Sequence, residues 1–360
     1  MNKLKVITVV LVCMAMLVGC AAPAATPAPP VVITAPPVVV TAPPVVVTAP
    51  PVVVTAPPAE GPAEIAVIVK TGNSSFWQNV QTGAFAAQKE LQAQTPKLSV
   101  TFLGAQSESN INEEINIVQS AIDRGVKAIV LAPSDVNALV PVVKSAKDAG
   151  IPVVVIDSLL AGDKSNYVSF LATDNKAAGE ACAKAMLDLL AKEGKTEGKI
   201  QVMSYVAGVG SEIGRVGGFN DYIKANSKFT LLQTQYSNAD MPTALNQTTN
   251  VLAANPDLVG IFGANEPTAI GMGRAIAQAK LGGKIVAIGF DGAKQLQDFV
   301  RDGTLQAIAV QSSFNMGYLG VKTAYDVSIG GKTVPATVDT GFLMVTKDNI
   351  DSQDAKNVLY

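Results

Sequence analysis

From Glu64 onward, short runs rich in valine and isoleucine alternate with longer segments of helical periodicity, and that alternation does most to restrict the fold. Parallel strands need a long crossover between them, and a helix supplies it while covering a face of the sheet. The strand candidates are residues 65–69, 99–103, 128–131, 153–156, 168–170, 200–205, 230–235, 260–262, 285–288 and 307–310. Helical periodicity falls on 79–93, 111–124, 139–149, 176–192, 214–224, 241–254, 266–279 and 294–301. Ten strands are many for one open sheet, so the expectation is an α/β fold with two parallel sheets of five or six strands each.

The residues before Glu64 carry a different pattern. Lys3 and Lys5 precede an apolar run over 6–18, the length of a signal-peptide core and short for a bilayer span. Leu17-Val18-Gly19-Cys20 resembles a bacterial lipobox, so residues 1–19 read as a lipoprotein signal peptide and Cys20 as the lipid anchor. Next comes a period of seven, Pro29-Pro-Val-Val-Ile-Thr-Ala35 and three copies of PPVVVTA. Thirteen of the 21 prolines fall between Pro23 and Pro62, and two prolines per repeat forbid the coiled coil that a period of seven suggests. Residues 20–63 therefore read as an extended tether whose repeats reach at most roughly 90 Å at about 3.1 Å per residue.

Composition removes several chemistries. The 360 residues include no histidine, which excludes Ser/His/Asp and Cys/His catalysis and histidine-ligated zinc. Of the three cysteines, Cys13 and Cys20 lie in the leader region and Cys182 in an alanine-rich helix, so neither a zinc cluster nor a disulfide framework is expected. With 27 Lys plus Arg against 29 Asp plus Glu, no basic footprint for nucleic acid exists. No cofactor or catalysis is expected.

In parallel α/β sheets ligands bind beyond the carboxyl ends of the strands. The first strand leads to Asn73, Ser74, Phe76 and the only tryptophan, Trp77, and the fourth to Asp157-Ser158. Later strand ends lead to a glycine-rich turn with Arg215, to Asn265-Glu266, to Asp291-Gly292 and to Gln311. Carboxylates accept from hydroxyls, Arg and amides donate, and aromatic faces cover C–H surface, which together suit a polyol. Each residue also has a plain reading: Asp157 or Asp291 as a helix cap, Arg215 as an exposed helical residue, Phe76 and Trp77 as core.

These residues carry a family resemblance. Asn73-Ser-Ser-Phe-Trp77, Ala132-Pro-Ser-Asp135, Gly150-Ile-Pro-Val-Val-Val-Ile-Asp157, Thr173-Asp-Asn175, Gly214-Arg-Val-Gly-Gly-Phe219, Gly263-Ala-Asn-Glu266 and Gly289-Phe-Asp-Gly292 resemble, in order over 64–345, the type I sugar-binding proteins of ABC importers, the ribose-binding branch above all. The resemblance implies two Rossmann-like lobes, 64–172 plus 312–340 and 173–311 plus 341–360, joined near Ala172-Thr173, Gln311-Ser312 and Thr340-Gly341. It implies a monosaccharide or related polyol bound by Ser74, Phe76, Trp77, Asp157, Arg215, Asn265, Asp291 and Gln311, with Ser158 beside them, and delivery to an ABC permease. It further implies a monomer held outside the cytoplasm. Ala132, Ser158 and Ala239 replace an Asn, an Arg and an aromatic residue of the ribose binders, and Ser74 another Asn. A pocket roomier than a pentose site, and lacking one cation, is the resulting expectation.

Two other readings compete. Gly208-Val-Gly-Ser-Glu-Ile-Gly214 follows a strand and opens a helix as a dinucleotide loop does, though with one residue too many. A sensor presenting its ligand to a membrane receptor shares every feature of an importer component.

Overall fold

The computed structural model describes residues 63–360. The leader, Cys20 and the proline repeat expected from the sequence lie outside the described residues.

One sheet runs in the order β2 (Leu98–Gly104), β1 (Ala63–Val69), β3 (Ala128–Leu131), β4 (Val153–Ile156), β5 (Ser169–Ala172) and β12 (Thr337–Asp339), all parallel. The second runs β7 (Thr230–Leu231), β6 (Lys199–Ser204), β9 (Leu258–Gly263), β10 (Val286–Phe290), β11 (Ala307–Gln311) and β13 (Phe342–Thr346), with β8 (Gln235–Tyr236) also paired to β6. Only β13 is antiparallel, to β11. Each lobe is thus a doubly wound sheet whose strand order reverses at its first strand, β1 or β6, which is where such sheets open a crevice.

Alternation along each strand feeds two apolar layers per sheet. Ile65, Val67 and Val69 pack on one face with Val80 and Ala84 of α1 (Ser75–Leu91), and Ala66 and Ile68 on the other with Val118 of α2 (Ile111–Asp123). In the second lobe Ile200 and Val202 join Phe219 of α5 (Gly210–Asn226), and Met203 and Ile261 join Met272 of α7 (Glu266–Gln278).

The chain passes between the sheets three times: from β5 into α4 (Asn175–Lys192), from β11 into α9 (Ser313–Ser328), and from β12 to β13. In each lobe the helix beyond a crossing lies against the helix that faces the cleft. A Cβ on Gly317 of α9 would sit 1.9 Å from the Val80 carbonyl oxygen of α1, and one on Gly179 of α4 would sit 2.0 Å from the Arg215 oxygen of α5. Only glycine permits backbones that close.

The structure departs from the sequence reading in several places. The second sheet has seven strands, not five or six, and β12, β13, α9 and α10 (Gln353–Val358) were not anticipated. Gly317 and Gly320 depress the helical signal of α9, yet both are there because α1 and the Val130 and Ile156 side chains approach so closely. Residues 230–235 split into β7 and the start of β8. Helix α1 starts at Ser75 instead of 79, because the Ser74 hydroxyl accepts from the Trp77 N–H at 3.4 Å and caps it earlier.

Candidate ligand-binding site

Polar side chains from the carboxyl ends of both sheets converge on one cleft. In the β1 lobe, Lys70 leaves the end of β1 and places its ammonium 2.7 Å from Asp157 Oδ2 and 2.7 Å from Ser158 Oγ. Asp157 follows β4 with φ 61°, a left-handed conformation that costs a non-glycine residue energy and clusters at functional sites. Phe76 and Trp77 begin α1 and form the apolar wall, their rings edge to face with centroids 4.8 Å apart. Trp77 Nε1 donates to Glu108 Oε1 at 2.9 Å, and burial pushes the Glu108 carboxyl above its usual range against the opposing pull of Lys70.

In the β6 lobe, Arg215 of α5 is buried with its guanidinium stacked 3.6 Å from the Phe290 ring centroid. Nε and Nη2 donate to Asn175 Oδ1 and Nη1 to the Ala264 oxygen, which leaves spare N–H groups of the five facing the cleft. No carboxylate lies within ion-pair distance of it among the described residues. Asp291 follows β10 with φ 78°. Its Oδ1 accepts from Gln311 Nε2 and its Oδ2 from the Glu266 N–H, each at 2.8 Å. Burial, more than Arg215 and these bonds can offset, raises its pKa to about 6. Asn265 caps α7 through Oδ1, and Gln311 Oε1 is buried with no partner, an acceptor open to a ligand hydroxyl.

The structure brings Ser74, Phe76, Trp77, Asp157, Arg215, Asn265, Asp291 and Gln311 together at this cleft. Ser158 does not reach it. Its hydroxyl lies one layer back, bonded to Lys70, to Asp157 and, at 2.9 Å, to Ser211 of the other lobe. The plain alternatives fail for the charged residues, since Asp157 caps no helix and Arg215 is 2 % exposed. Glu266, read beside Asn265 at its strand end, also borders the cleft, and unforeseen members are Lys70, Glu108, Tyr205, Ser211 and Pro267. Lys70 and Tyr205 directly follow β1 and β6, the two strands where the sheet order reverses, and that placement was their available signal.

The missing cation is corrected. Neither Ala132 nor Ala239 lines the cleft, and the space beside Ser158 holds the Lys70 ammonium, which also restores a cation. The backbone of the glycine-rich turn packs on the opposite lobe, where a Cβ on Gly210 would lie 2.6 Å from the Leu159 oxygen, and is not open as a dinucleotide loop is. Among the described residues no group of acidic or sulfur side chains is placed to hold a metal, and no helix is long and apolar enough to cross a membrane.

Two doubly wound lobes with a polar cleft between their strand ends define a solute-binding protein, and comparison with known proteins agrees. The family described as the periplasmic binding protein domain matches residues 65–333. The D-allose-binding periplasmic protein of Escherichia coli is 30% identical over 288 residues, covering 79% of this chain and 90% of its own. An ABC transporter solute-binding protein from Agrobacterium vitis, solved with bound D-fucose, is 60% identical with TM-score 0.79 over 82% of this chain and all of its own. A carbohydrate transporter solute-binding protein from Agrobacterium radiobacter, in complex with D-arabinose, is 34% identical with TM-score 0.79, covering 84% and 100%. The chain belongs to the periplasmic binding protein family, in its type I sugar-binding branch.

Proposed function

We propose that this chain is the extracytoplasmic substrate-binding component of an ABC importer, closing on one monosaccharide and handing it to a membrane permease. The observation that carries the reading is the pair Asp157 and Asp291, held in left-handed backbone at equivalent strand ends and facing one cleft from opposite lobes. Each carboxylate accepts from sugar hydroxyls, while Arg215, Asn265 and Gln311 supply the complementary donors and acceptors. Phe76 and Trp77 cover the ring's C–H face, and Ser74 borders it.

D-Fucose is the first candidate. The relative solved with it is 60% identical, and Phe76, Trp77 and Pro267 offer apolar surface for its methyl group. Closure joins the lobes 64–172 plus 312–340 and 173–311 plus 341–360 about the three crossings, in a monomer that needs no cofactor. The leader pattern over 1–19, Cys20 and the proline repeat support lipid anchoring of Cys20 to the outer face of the membrane, with 20–63 as the tether.

Thermal melting of the purified protein with D-fucose, D-arabinose, D-ribose, a cyclitol and NAD tests this. Sugar at a thousand times its Kd stabilises by about 4 kcal/mol, so D-fucose is expected to raise Tm by several degrees. A response to NAD or the cyclitol alone, or to no sugar, defeats the reading.

A further inference from the structure

Glu266 borders the cleft, yet its carboxylate is committed elsewhere. It is the first residue of α7 in the β6 lobe and is 3 % exposed. Oε1 accepts the Ser75 N–H of the opposite lobe at 2.9 Å. Oε2 accepts the Tyr360 O–H at 3.0 Å. Ser75 and Phe76 open α1, where backbone N–H groups have no partner within the helix, and the helix's own cap, Ser74, serves only Trp77. The first turn of α1 is therefore completed from across the cleft, with a carboxylate at the positive end of the helix dipole. Tyr360 packs against apolar residues of both lobes. Its main chain is held on the β6 side, the N–H 3.4 Å from the Gly292 oxygen and the carbonyl 3.1 Å from Gln297 Nε2.

We propose that Glu266 and Tyr360 are positioning residues that form a latch between the lobes, fixing the start of α1 and with it the Phe76–Trp77 wall, and so set how long the cleft stays shut. The inference rests on the reading of the cleft as a sugar site that closes. Both carboxylate oxygens are spent on protein donors, so the latch strengthens the closed state whatever hydroxyl pattern the ligand carries. Its loss then multiplies the dissociation rate of every ligand by one common factor.

Trp77, the only tryptophan, sits two residues from the latch and reports it by fluorescence. Stopped-flow measurements on the full chain with D-fucose and with D-arabinose would compare wild type, Tyr360→Phe and Glu266→Ala. Tyr360→Phe keeps the ring and removes one hydrogen bond, and is expected to raise dissociation about five-fold for both sugars with association unchanged. Glu266→Ala is expected to raise it further, and Glu266→Gln, which keeps an acceptor for Ser75, to recover most of the loss. A factor that differs between the sugars would show Glu266 touching ligand and overturn the latch, as would an unaltered rate. Binding of neither sugar by wild type defeats the functional reading alone. Amide exchange at Ser75 in sugar-free protein then decides the latch: faster exchange in Tyr360→Phe supports it, and equal or unprotected exchange overturns it.

Discussion

Asp157 in the β1 lobe and Asp291 in the β6 lobe occupy the same place twice. Each follows the strand that lies fourth in its sheet, counted from the β2 or β7 edge, with φ 61° and 78°, and each donates its N–H to the next strand, at Leu171 and Ala309. The helices around them repeat as well, α1 clamped on α9 at Gly317 and α5 on α4 at Gly179. The charges do not repeat. Asp157 has a cation of its own lobe at 2.7 Å, while Asp291 is answered by the Gln311 amide and the Glu266 N–H, and the nearby Arg215 is spent on Asn175 and a carbonyl. One lobe thus presents a finished ion pair. The other presents a carboxylate and a guanidinium whose remaining capacity points at the cleft, so it gains more from a ligand's hydroxyls.

Breaking the ion pair is the strongest test of that contrast. Lys70→Met leaves Asp157 buried without a counter-charge, which costs about 3–5 kcal/mol in stability by denaturant unfolding. Asp291→Asn breaks no ion pair and keeps one acceptor for its donors, so its cost is expected to be well below that. Equal losses would show that the two carboxylates are held alike, and the contrast would fall.

Much of this was legible beforehand, for physical reasons that differ by element. Strands such as 128–131 and 153–156 are buried on both faces and read as unbroken apolar runs, so their ends could be placed to the residue, and Asp157 with them. Asp291, Asn265 and Gln311 followed by the same rule. Lys70 escaped because a lysine after a strand looks like a solvated charge; only the fold shows that Asp157, 87 residues later, lies opposite it. Glu108 and Ser211 sit in segments whose path over the cleft is set by packing, not by local pattern. Helix α9 was hidden by the glycines its packing demands, and with it the full path of the second crossing.

A second difference lies away from the cleft. The fourth residue of α2 is Glu114, fully buried, and the fourth of α6 (Met241–Ala254) is Ala244, equally buried. Glu114 Oε2 accepts the Ser134 N–H at 2.9 Å, but Oε1 has no partner, and burial lifts the pKa from 4.5 to about 7. Below 4.5 folded and unfolded chains are both protonated there and nothing is lost. As pH rises from 4.5 to about 7 the unfolded chain ionises first, so stability falls, by up to about 3 kcal/mol once above 7. Glu114→Gln removes that loss. Its melting temperature, measured relative to wild type, is expected to climb across this window and then level off, and a flat difference would show that Glu114 ionises without penalty.

The smallest effect concerns the two helices that face the cleft. Ser74 caps α1 with its side chain, whereas α5 begins after Val209 with no side-chain cap. Losing a serine cap usually costs about 1 kcal/mol. Ser74→Ala is expected to cost no more than that, because the bond to Trp77 is long at 3.4 Å and the Ser75 N–H is already met by Glu266. The cost grows when the other cap is absent, since the two share one helix end and neighbouring groups do not contribute independently. In a Glu266→Ala background, Ser74→Ala is therefore expected to lower Tm by more than it does alone. Strict additivity would mean that the carboxylate reaching across the cleft does not support the first turn of α1, and that the two helices begin on equal terms.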